Sequence, residues 1–235
     1  YRRLGNGTLR DYVIGIEAVD GHGTIYHGGG RVVKNVAGYD FCRLLIGSQG
    51  TLGLITKVTL KVKPLAPRTA VLLLPCRDLA AANRCVEVVL QGPQLPSGLE
   101  LFNKLPDSLV NLSEANKSTD QPWLAVILQG TDLEVNAQLN SHCLDLARVG
   151  AAPHVLSSEH ADLLLQHLRA FPGLIPTAGS DGLALKLHFQ PSRLLGGLQW
   201  LTSLQPGIVW QAHAGTGIVY ALLPKQPGSL GQWLL

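Results

Sequence analysis

The chain has 235 residues, a formal net charge of +3, and only 15% charged residues. This length allows one large domain or two small ones, and an apolar composition rich in glycine and proline indicates a globular α/β or α+β protein rather than a disordered one. The absence of a basic run argues against a nucleic-acid partner, and the longest apolar runs are too short to form a transmembrane segment.

The first 67 residues show a pattern of short strands joined by glycine turns. The stretch "DYVIGIEAVDGHGTIYHGG" predicts a β-hairpin that turns at Asp20–Gly23. A short helix is predicted over Asp40–Ile46, and "LITKVTLKVKPL" predicts a half-buried strand that ends at Pro64. Pro64 and Pro67 then indicate a linker.

Between that helix and strand, Gly47, Gly50 and Gly53 fall within one short segment, "GSQGTLG". Glycine is unfavourable where a helix or strand could form, so the cluster indicates a tight turn or a backbone that lies against a flat partner. The segment lacks the Lys–Ser/Thr pair of a P-loop, which excludes a nucleoside-triphosphate site of that type. As a turn, it is expected to bury Leu52 and Leu54.

From Arg68 onward, strands and helices alternate in longer units. Strands are predicted at "TAVLLLP", "SGLELFN", "WLAVILQG", "LALKLHF", "GIVWQAHAG" and "GIVYALLP". Helices are predicted after the N-caps Asp78 and Asp132, within "EHADLLLQHLRAF", and from Pro191. The face of the second helix is expected to carry Val135, Leu139, Cys143 and Leu146. With the helices on one face of the sheet, this pattern predicts an α+β sandwich of ferredoxin-like type.

Polar residues on two of these strands form a candidate site. Alternation places Lys186 and His188 on one face of their strand, and Gln211 and His213 on one face of a later strand. If the two strands are neighbours, the result is a cationic, hydrogen-bonding face that suits a carboxylate substrate. The alternative is an ordinary exposed polar face.

Other cofactor motifs are not supported. The cysteines show no CxxC pair or ferredoxin-like spacing, so neither a zinc site nor an iron–sulfur cluster is predicted, and reduced thiols are expected. In "HAGTGIVY", Tyr220 stands where a Rossmann motif needs its third glycine, and a strand rather than a helix follows.

The segment "GGGRVVKNVAGYDFCRLLIGSQGTLGLITKVTLKVKPL" resembles the second part of the FAD domain in the FAD-linked oxidases, the vanillyl-alcohol-oxidase-like superfamily. Within this superfamily, it is most similar to the glycolate oxidase subunits and D-lactate dehydrogenases, and above all to the FAD-binding E-subunit of bacterial glycolate oxidase. The resemblance is dense over residues 1–67 and weaker over the rest of the chain.

The resemblance implies an α+β fold with two parts. Residues 1–67 would be the second part of a two-subdomain, PCMH-type FAD-binding domain whose first subdomain is absent from this sequence. Residues 68–235 would be a ferredoxin-like α/β-sandwich cap domain without its usual C-terminal tail. We therefore expect the sequence, which starts at Tyr1 and contains no methionine, to be a fragment. FAD would lie along the backbone of Gly47, Ser48, Gln49, Gly50, Thr51, Leu52, Gly53, Leu54 and Ile55.

The resemblance also implies oxidation of a small 2-hydroxy acid to a 2-oxo acid. This chemistry needs a base for the hydroxyl group and a cation for the carboxylate, and His213 and Lys186 are the candidates. D-lactate-type members carry a metal-binding HxHxGxGxxH pattern, whose matching positions here are Gln211, His213, Gly215, Gly217 and Tyr220. One histidine cannot form a metal site, so no metal is expected.

The implied partners are a D-type catalytic flavin subunit and an iron–sulfur subunit. The expected location is the cytoplasm, or the periphery of the inner membrane through those subunits. Two other functions stay open: a non-catalytic FAD-binding subunit for electron transfer or scaffolding, and a stand-alone flavin oxidase of another hydroxy acid or alcohol.

Overall fold

The computed structural model describes residues 3–31, 38–106, 108–109, 121–171 and 183–223. The chain divides into two compact units, a smaller one of Asn6–Leu65 and a larger one of Tyr1–Gly5 together with Ala66–Leu235. The glycine-rich loop lies in the smaller unit, and the strands that carry Lys186 and His213 lie in the larger one.

The described part of the smaller unit contains a three-stranded antiparallel sheet of β1 (Val13–Val19), β2 (Ile25–Gly29) and β3 (Leu54–Leu60), with β1 in the centre. The accompanying short helices are α1 (Arg3–Asn6), which begins in the larger unit, α2 (Leu9–Tyr12) and α3 (Phe41–Leu45). The predicted hairpin is confirmed: the Asp20 N–H donates to the Thr24 carbonyl at 3.1 Å where β1 turns into β2.

The core of the smaller unit lies between the sheet and α3. Val13, Ile16 and Ala18 of β1 pack against Cys42 and Leu45 of α3. The N-terminus of α3 is capped by Asp40, whose side chain accepts the Arg43 N–H at 2.9 Å. A short helix with two buried residues is therefore fixed by one cap and one apolar contact face.

Strand β3 ends earlier and is more exposed than the sequence predicts. It stops at Leu60 rather than at Pro64, and Val58 and Leu60 are about half exposed. Val62, which lies within the stretch predicted to be a half-buried strand, is 89% exposed. Among the described residues β3 pairs with β1 alone, so its outer edge lacks a neighbour that would cover these side chains.

The larger unit contains an antiparallel sheet whose strands are β4 (Arg68–Pro75), β5 (Gly98–Phe102), β6 (Trp123–Gly130), β7 (His154–Val155), β8 (Leu183–His188), β9 (Val209–His213) and β10 (Ile218–Leu223). Their order in the sheet is β7–β4–β6–β5–β9–β10–β8. The helices are α4 (Leu79–Gln91), α5 (Asp132–Arg148), α6 (Ser158–Ala170) and α7 (Leu194–Leu204). No helix in the described part of the chain is long and apolar enough to cross a membrane.

The helices of the larger unit cover both faces of the sheet, which corrects the expectation of a single helical face. Helices α4, α5 and α7 pack on the face that carries Leu72 and Val126. Helix α6 packs through Leu164 and Leu168 on the opposite face, against Val71 and neighbouring side chains. Strands β4 and β6 are therefore buried on both sides, which explains their continuous apolar sequences.

One of the two predicted helix caps is wrong by one residue. Asp78 caps α4 as predicted and accepts the Ala81 N–H at 2.7 Å. The N-cap of α5 is Thr131 rather than Asp132, because Thr131 and Glu134 form a reciprocal capping box. The Thr131 N–H donates to Glu134 at 2.7 Å, so this arrangement satisfies backbone donors at both positions.

The sequence pattern places Cys143 on the buried face of α5. In the structure, His142 lies on that face instead. His142 is fully buried beside Leu139 and Leu146, whereas Cys143 is partly exposed. Neither ring nitrogen of His142 has a hydrogen-bond partner in the described part of the chain. Burial lowers the pKa of His142 from its ordinary value of 6.5, an effect that the nearby Asp145 carboxylate only partly offsets.

We expect His142 to make the larger unit less stable in mild acid. The unfolded chain binds a proton at this residue more readily than the folded helix does, so lowering the pH through about 6.5 favours unfolding. The free energy of unfolding should fall by up to about 1.4 kcal/mol per pH unit from this group. Urea titrations at several pH values, followed by tryptophan fluorescence, measure the slope. His142→Leu should remove this component, while His154→Gln, at an exposed site, should keep it; equal slopes in wild type and His142→Leu would contradict the prediction.

Candidate functional site

The loop that joins α3 to β3 has an unusual backbone. Gly47, Gly50 and Gly53 have positive φ angles of 91°, 80° and 152°. Gln49 also has a positive φ, 54°, in the left-handed region that non-glycine residues seldom adopt. Two consecutive left-handed residues, Gln49 and Gly50, turn the chain sharply at the tip of the loop.

This loop contains internal hydrogen bonds and also backbone N–H groups that have no acceptor among the described residues. The Thr51 N–H and hydroxyl both donate to the Ser48 carbonyl, at 3.0 and 2.7 Å. Among the described residues, the N–H groups of Gln49, Gly50 and Leu52 have no acceptor. A Cβ on Gly50 would meet nothing within 4 Å, so the tip is open. These donors fit a ligand rich in acceptor oxygens, such as a dinucleotide cofactor.

The rest of the loop is anchored to the sheet. A Cβ on Gly53 would lie 2.9 Å from the Val19 carbonyl oxygen, so this glycine allows the backbone to approach β1 closely. Ile55 packs against the core of the smaller unit. Leu52 and Leu54, however, are 51% and 68% exposed, so the expectation that the turn buries them is wrong. The loop thus presents apolar side chains and backbone donors together.

A cleft of about 810 Å³ in the smaller unit adds a second group of candidate ligand-binding residues. Arg10 connects it to the loop, because the guanidinium donates to the Ile46 carbonyl at 2.8 Å and also lines the cleft. The charged side chains of the lining are Arg10, Arg31, Arg43, Lys61, Asp11 and Asp40. Their excess of positive charge fits an anionic group. Sequence reasoning missed the cleft, because its residues come from four separate segments.

In the larger unit, the strand register aligns two mainly polar rows of residues across β5, β9, β10 and β8. One row contains Glu100, His213, Ile218 and His188, and the next contains Phe102, Gln211, Tyr220 and Lys186. Residues paired in this way lie on the same face of the sheet. Lys186 and His213 therefore share a face, as the alternation pattern predicts.

The strands of Lys186 and His213 are not neighbours, because β10 lies between them. Tyr220 of β10 occupies the gap. Its ring makes an edge contact with the His213 ring at 5.6 Å between centroids, and Lys186 Nζ lies 5.7 Å from the Tyr220 centroid. The face is also uneven: Lys186 and His188 are exposed, whereas Gln211 is buried. The condition that the two strands are neighbours is therefore not met, and Lys186 and His188 lie on an exposed polar part of the face.

A buried carboxylate, Glu100, stands next to His213. Both Glu100 oxygens lie 2.7 Å from His213 Nδ1, and Gln211 Nε2 donates to Oε2 at 3.0 Å. The Glu100 side chain has no exposed surface, and the His213 side chain is 12% exposed. Sequence reasoning missed Glu100, although one acidic residue inside the apolar strand "GLELF" is a usable signal, since buried charges need partners.

Gly217, one of the two glycines that match the metal-binding pattern, has a backbone role in the turn between β9 and β10. The His213 carbonyl accepts the N–H groups of Thr216 and Gly217, at 3.0 and 2.9 Å. Gly217 has a φ of 71°, and a Cβ there would overlap the Phe189 carbonyl oxygen. Among the described residues, no group of three or more His, Cys, Asp or Glu side chains is placed to hold a metal ion.

No protein-family model matches the chain. Its fold resembles that of p-cresol methylhydroxylase, with a TM-score of 0.65 and 16% identity over 91% of this chain and 51% of the other. It also resembles alkyldihydroxyacetonephosphate synthase, with a TM-score of 0.62 and 14% identity over 98% of this chain and 47% of the other. These likenesses confirm the α+β class and a fold of the PCMH type.

Similarity in sequence identifies more specific relatives than similarity in fold does. The chain is 39% identical over 103 residues to the glycolate oxidase subunit GlcD of Bacillus subtilis, which is 44% of this chain and 22% of that one. It is 41% identical over 103 residues to a D-lactate dehydrogenase of Archaeoglobus fulgidus, 44% of this chain and 23% of that one. It is 48% identical over 63 residues to the glycolate oxidase subunit GlcE of Escherichia coli, 27% of this chain and 18% of that one.

These matches confirm the resemblance to the FAD-linked oxidases, with glycolate oxidase subunits and D-lactate dehydrogenases among the relatives. The matched regions span about a fifth of the length of these curated relatives. Residues 32–37 of the motif "VKNVAGYD" and its flank lie outside the described residues, and Asp40 at its end caps α3.

Proposed function

We propose that the chain is the FAD-binding subunit of a glycolate oxidase- or dehydrogenase-like flavoenzyme that oxidises a 2-hydroxy acid to a 2-oxo acid. The observation that carries this proposal is the common face of the larger unit's sheet, where His213, a candidate base, and Lys186, a candidate cation, both contact Tyr220. The similarity to glycolate oxidase subunits supports a 2-hydroxy acid as the substrate class.

The two units take different roles in this proposal. Residues 1–67 form the second part of the FAD-binding domain, and the backbone from Gly47 to Ile55 binds the cofactor through the free N–H groups of Gln49, Gly50 and Leu52. Residues 68–235 form the cap domain that binds the substrate. Bound FAD would supply an acceptor for the hydride of the substrate.

The residues of the cap domain handle the proton and the substrate charge. His213 accepts the hydroxyl proton at Nε2, which has no hydrogen-bond partner among the described residues. Lys186 attracts the carboxylate from the exposed side of the same face. The partners in this proposal are a D-type catalytic flavin subunit and an iron–sulfur subunit, in the cytoplasm or at the inner membrane. The electrons pass to oxygen, to a quinone or to the iron–sulfur subunit.

A second candidate function is a FAD-binding subunit for electron transfer or scaffolding, with the oxidation on a partner. It is favoured by Tyr220, which stands where D-lactate-type relatives carry a histidine of their metal pattern. The third candidate, a stand-alone flavin oxidase, would turn over its substrate with oxygen and no partner.

The anaerobic absorbance spectrum of the full-length protein, taken before and after adding glycolate, tests the proposal. We expect the oxidised flavin band to bleach, and D-lactate is the second substrate to add. A band that bleaches only when the D-type subunit is present would replace our proposal with the electron-transfer function. Turnover with oxygen by the protein alone would favour the stand-alone oxidase. A purified protein without flavin would contradict every candidate.

A further inference from the structure

The buried polar cluster of the larger unit contains a carboxylate that the proposed chemistry does not itself require. Glu100 lies in the middle of β5 with its side chain fully buried. A buried carboxylate is unfavourable unless it is paired and hydrogen-bonded. Its partners in the described part of the chain are His213 Nδ1 and Gln211 Nε2. Glu100 and His213 are directly paired in the sheet, so the backbone register holds their contact.

We propose that Glu100 is a positioning residue that fixes the tautomer and orientation of His213. An ionised carboxylate only accepts hydrogen bonds, so the hydrogen of a neutral imidazole must lie on Nδ1, which faces Glu100. Nε2 then keeps its lone pair and becomes the acceptor nitrogen. This role rests on the proposed function, in which Nε2 takes the hydroxyl proton.

Gln211 holds the carboxylate in turn. Its amide nitrogen donates to Glu100 Oε2 at 3.0 Å and to the Leu168 carbonyl of α6 at 3.2 Å. A flipped amide would place its oxygen against these two acceptors, so the observed orientation is the favourable one. The orientation leaves Gln211 Oε1 buried without a partner among the described residues. The cluster thus extends from α6 through Gln211 and Glu100 to His213.

The cluster also constrains how a substrate binds. The negative charge of Glu100 lies behind His213 and disfavours a second anion at the imidazole. A neutral hydroxyl group is therefore preferred at Nε2, and the substrate carboxylate is directed toward Lys186, on the far side of Tyr220. A single buried carboxylate would in this way help to orient a 2-hydroxy acid.

The test is the tautomer of His213 in the full-length protein, measured by long-range 15N–1H correlation NMR after 15N-histidine labelling. His213→Gln identifies the resonance by its loss. In the neutral form of the imidazole, we expect wild-type His213 to carry its hydrogen on Nδ1. Glu100→Gln keeps the side-chain volume but can donate to Nδ1, so it should move the hydrogen to Nε2. It should also slow flavin reduction by glycolate about a hundredfold, and Glu100→Asp should restore part of the rate.

A wild-type hydrogen on Nε2, or the same tautomer in wild type and Glu100→Gln, overturns the positioning role even if glycolate bleaches the flavin. The expected tautomers without any bleaching would support the positioning of His213 and contradict the proposed function. If Glu100→Gln does not fold, the wild-type tautomer alone decides.

Discussion

Replacement of His213 with glutamine is expected to slow reduction of the flavin by glycolate by a factor of about 10² to 10⁴, the usual contribution of a general base. Glutamine cannot take up the hydroxyl proton near neutral pH, whereas a neutral imidazole can. The measurement is anaerobic stopped-flow absorbance of the full-length protein mixed with glycolate. The flavin content should match that of the wild type, because His213 lies in the larger unit and the cofactor loop in the smaller one.

Glutamine is preferred to alanine at this position because of Glu100. Alanine would leave the buried carboxylate without its imidazole partner, and breaking a buried pair in this way costs about 3 to 5 kcal/mol. The glutamine amide can still donate to Glu100. The matched control is His188→Gln, the same change on the same face of the sheet but at an exposed residue of β8, and it should react at the wild-type rate. A wild-type rate for His213→Gln would place the base elsewhere.

The elements of the larger unit could be predicted from the sequence because their signals are local. The apolar run of β4 and the stripe of Leu194, Leu198 and Leu201 on α7 each lie within a short window. The face of the sheet that a helix covers is not a local property. Helix α6 has an apolar stripe like that of α7, yet it packs on the opposite face. Periodicity identifies the buried side of a helix but not its partner.

The candidate site could be predicted only in part for the same reason. Alternation along each strand placed Lys186 and His213 on one face, but the insertion of β10 between their strands depends on long-range pairing. Glu100 is more than a hundred residues from His213 along the chain, and their hydrogen bond follows from the pairing of β5 with β9. Such pairings depend on how the whole sheet assembles, which no short sequence window contains.

The glycine-rich loop shows the same limit on a smaller scale. Gly47, Gly50 and Gly53 indicated a sharp turn, and each has a positive φ. Gln49 shares that conformation without any compositional signal, because glutamine is not a residue type that favours a positive φ. Leu52 and Leu54 were expected to be buried since they are apolar, but no described residue of the smaller unit covers them. Exposed side chains of this kind beside free backbone donors favour a ligand-facing loop over an ordinary turn.

Substitution of Gly217 with alanine is expected to destabilise the larger unit by about 2 to 5 kcal/mol. A φ of 71° is unfavourable for alanine by about 1 to 2 kcal/mol. The added methyl group would also overlap the Phe189 carbonyl, and the movement needed to relieve this contact costs about a further 1 to 3 kcal/mol. That movement would disturb the hydrogen bond from the Phe189 N–H to the Gly217 carbonyl, 2.8 Å long, which connects the turn to the end of β8.

The Gly150→Ala variant separates the cost of the positive φ from the cost of the contact with the Phe189 carbonyl. Gly150 has nearly the same φ, 75°, but a Cβ there would meet nothing within 4 Å. Its alanine variant should therefore lose only about 1 to 2 kcal/mol, and the gain from a stiffer unfolded chain is the same in both variants and cancels in their difference. Urea unfolding followed by tryptophan fluorescence measures both. Equal losses would mean that the Phe189 contact relaxes freely. A larger loss for Gly217→Ala would mean that the turn beside His213 is held by close packing against Phe189.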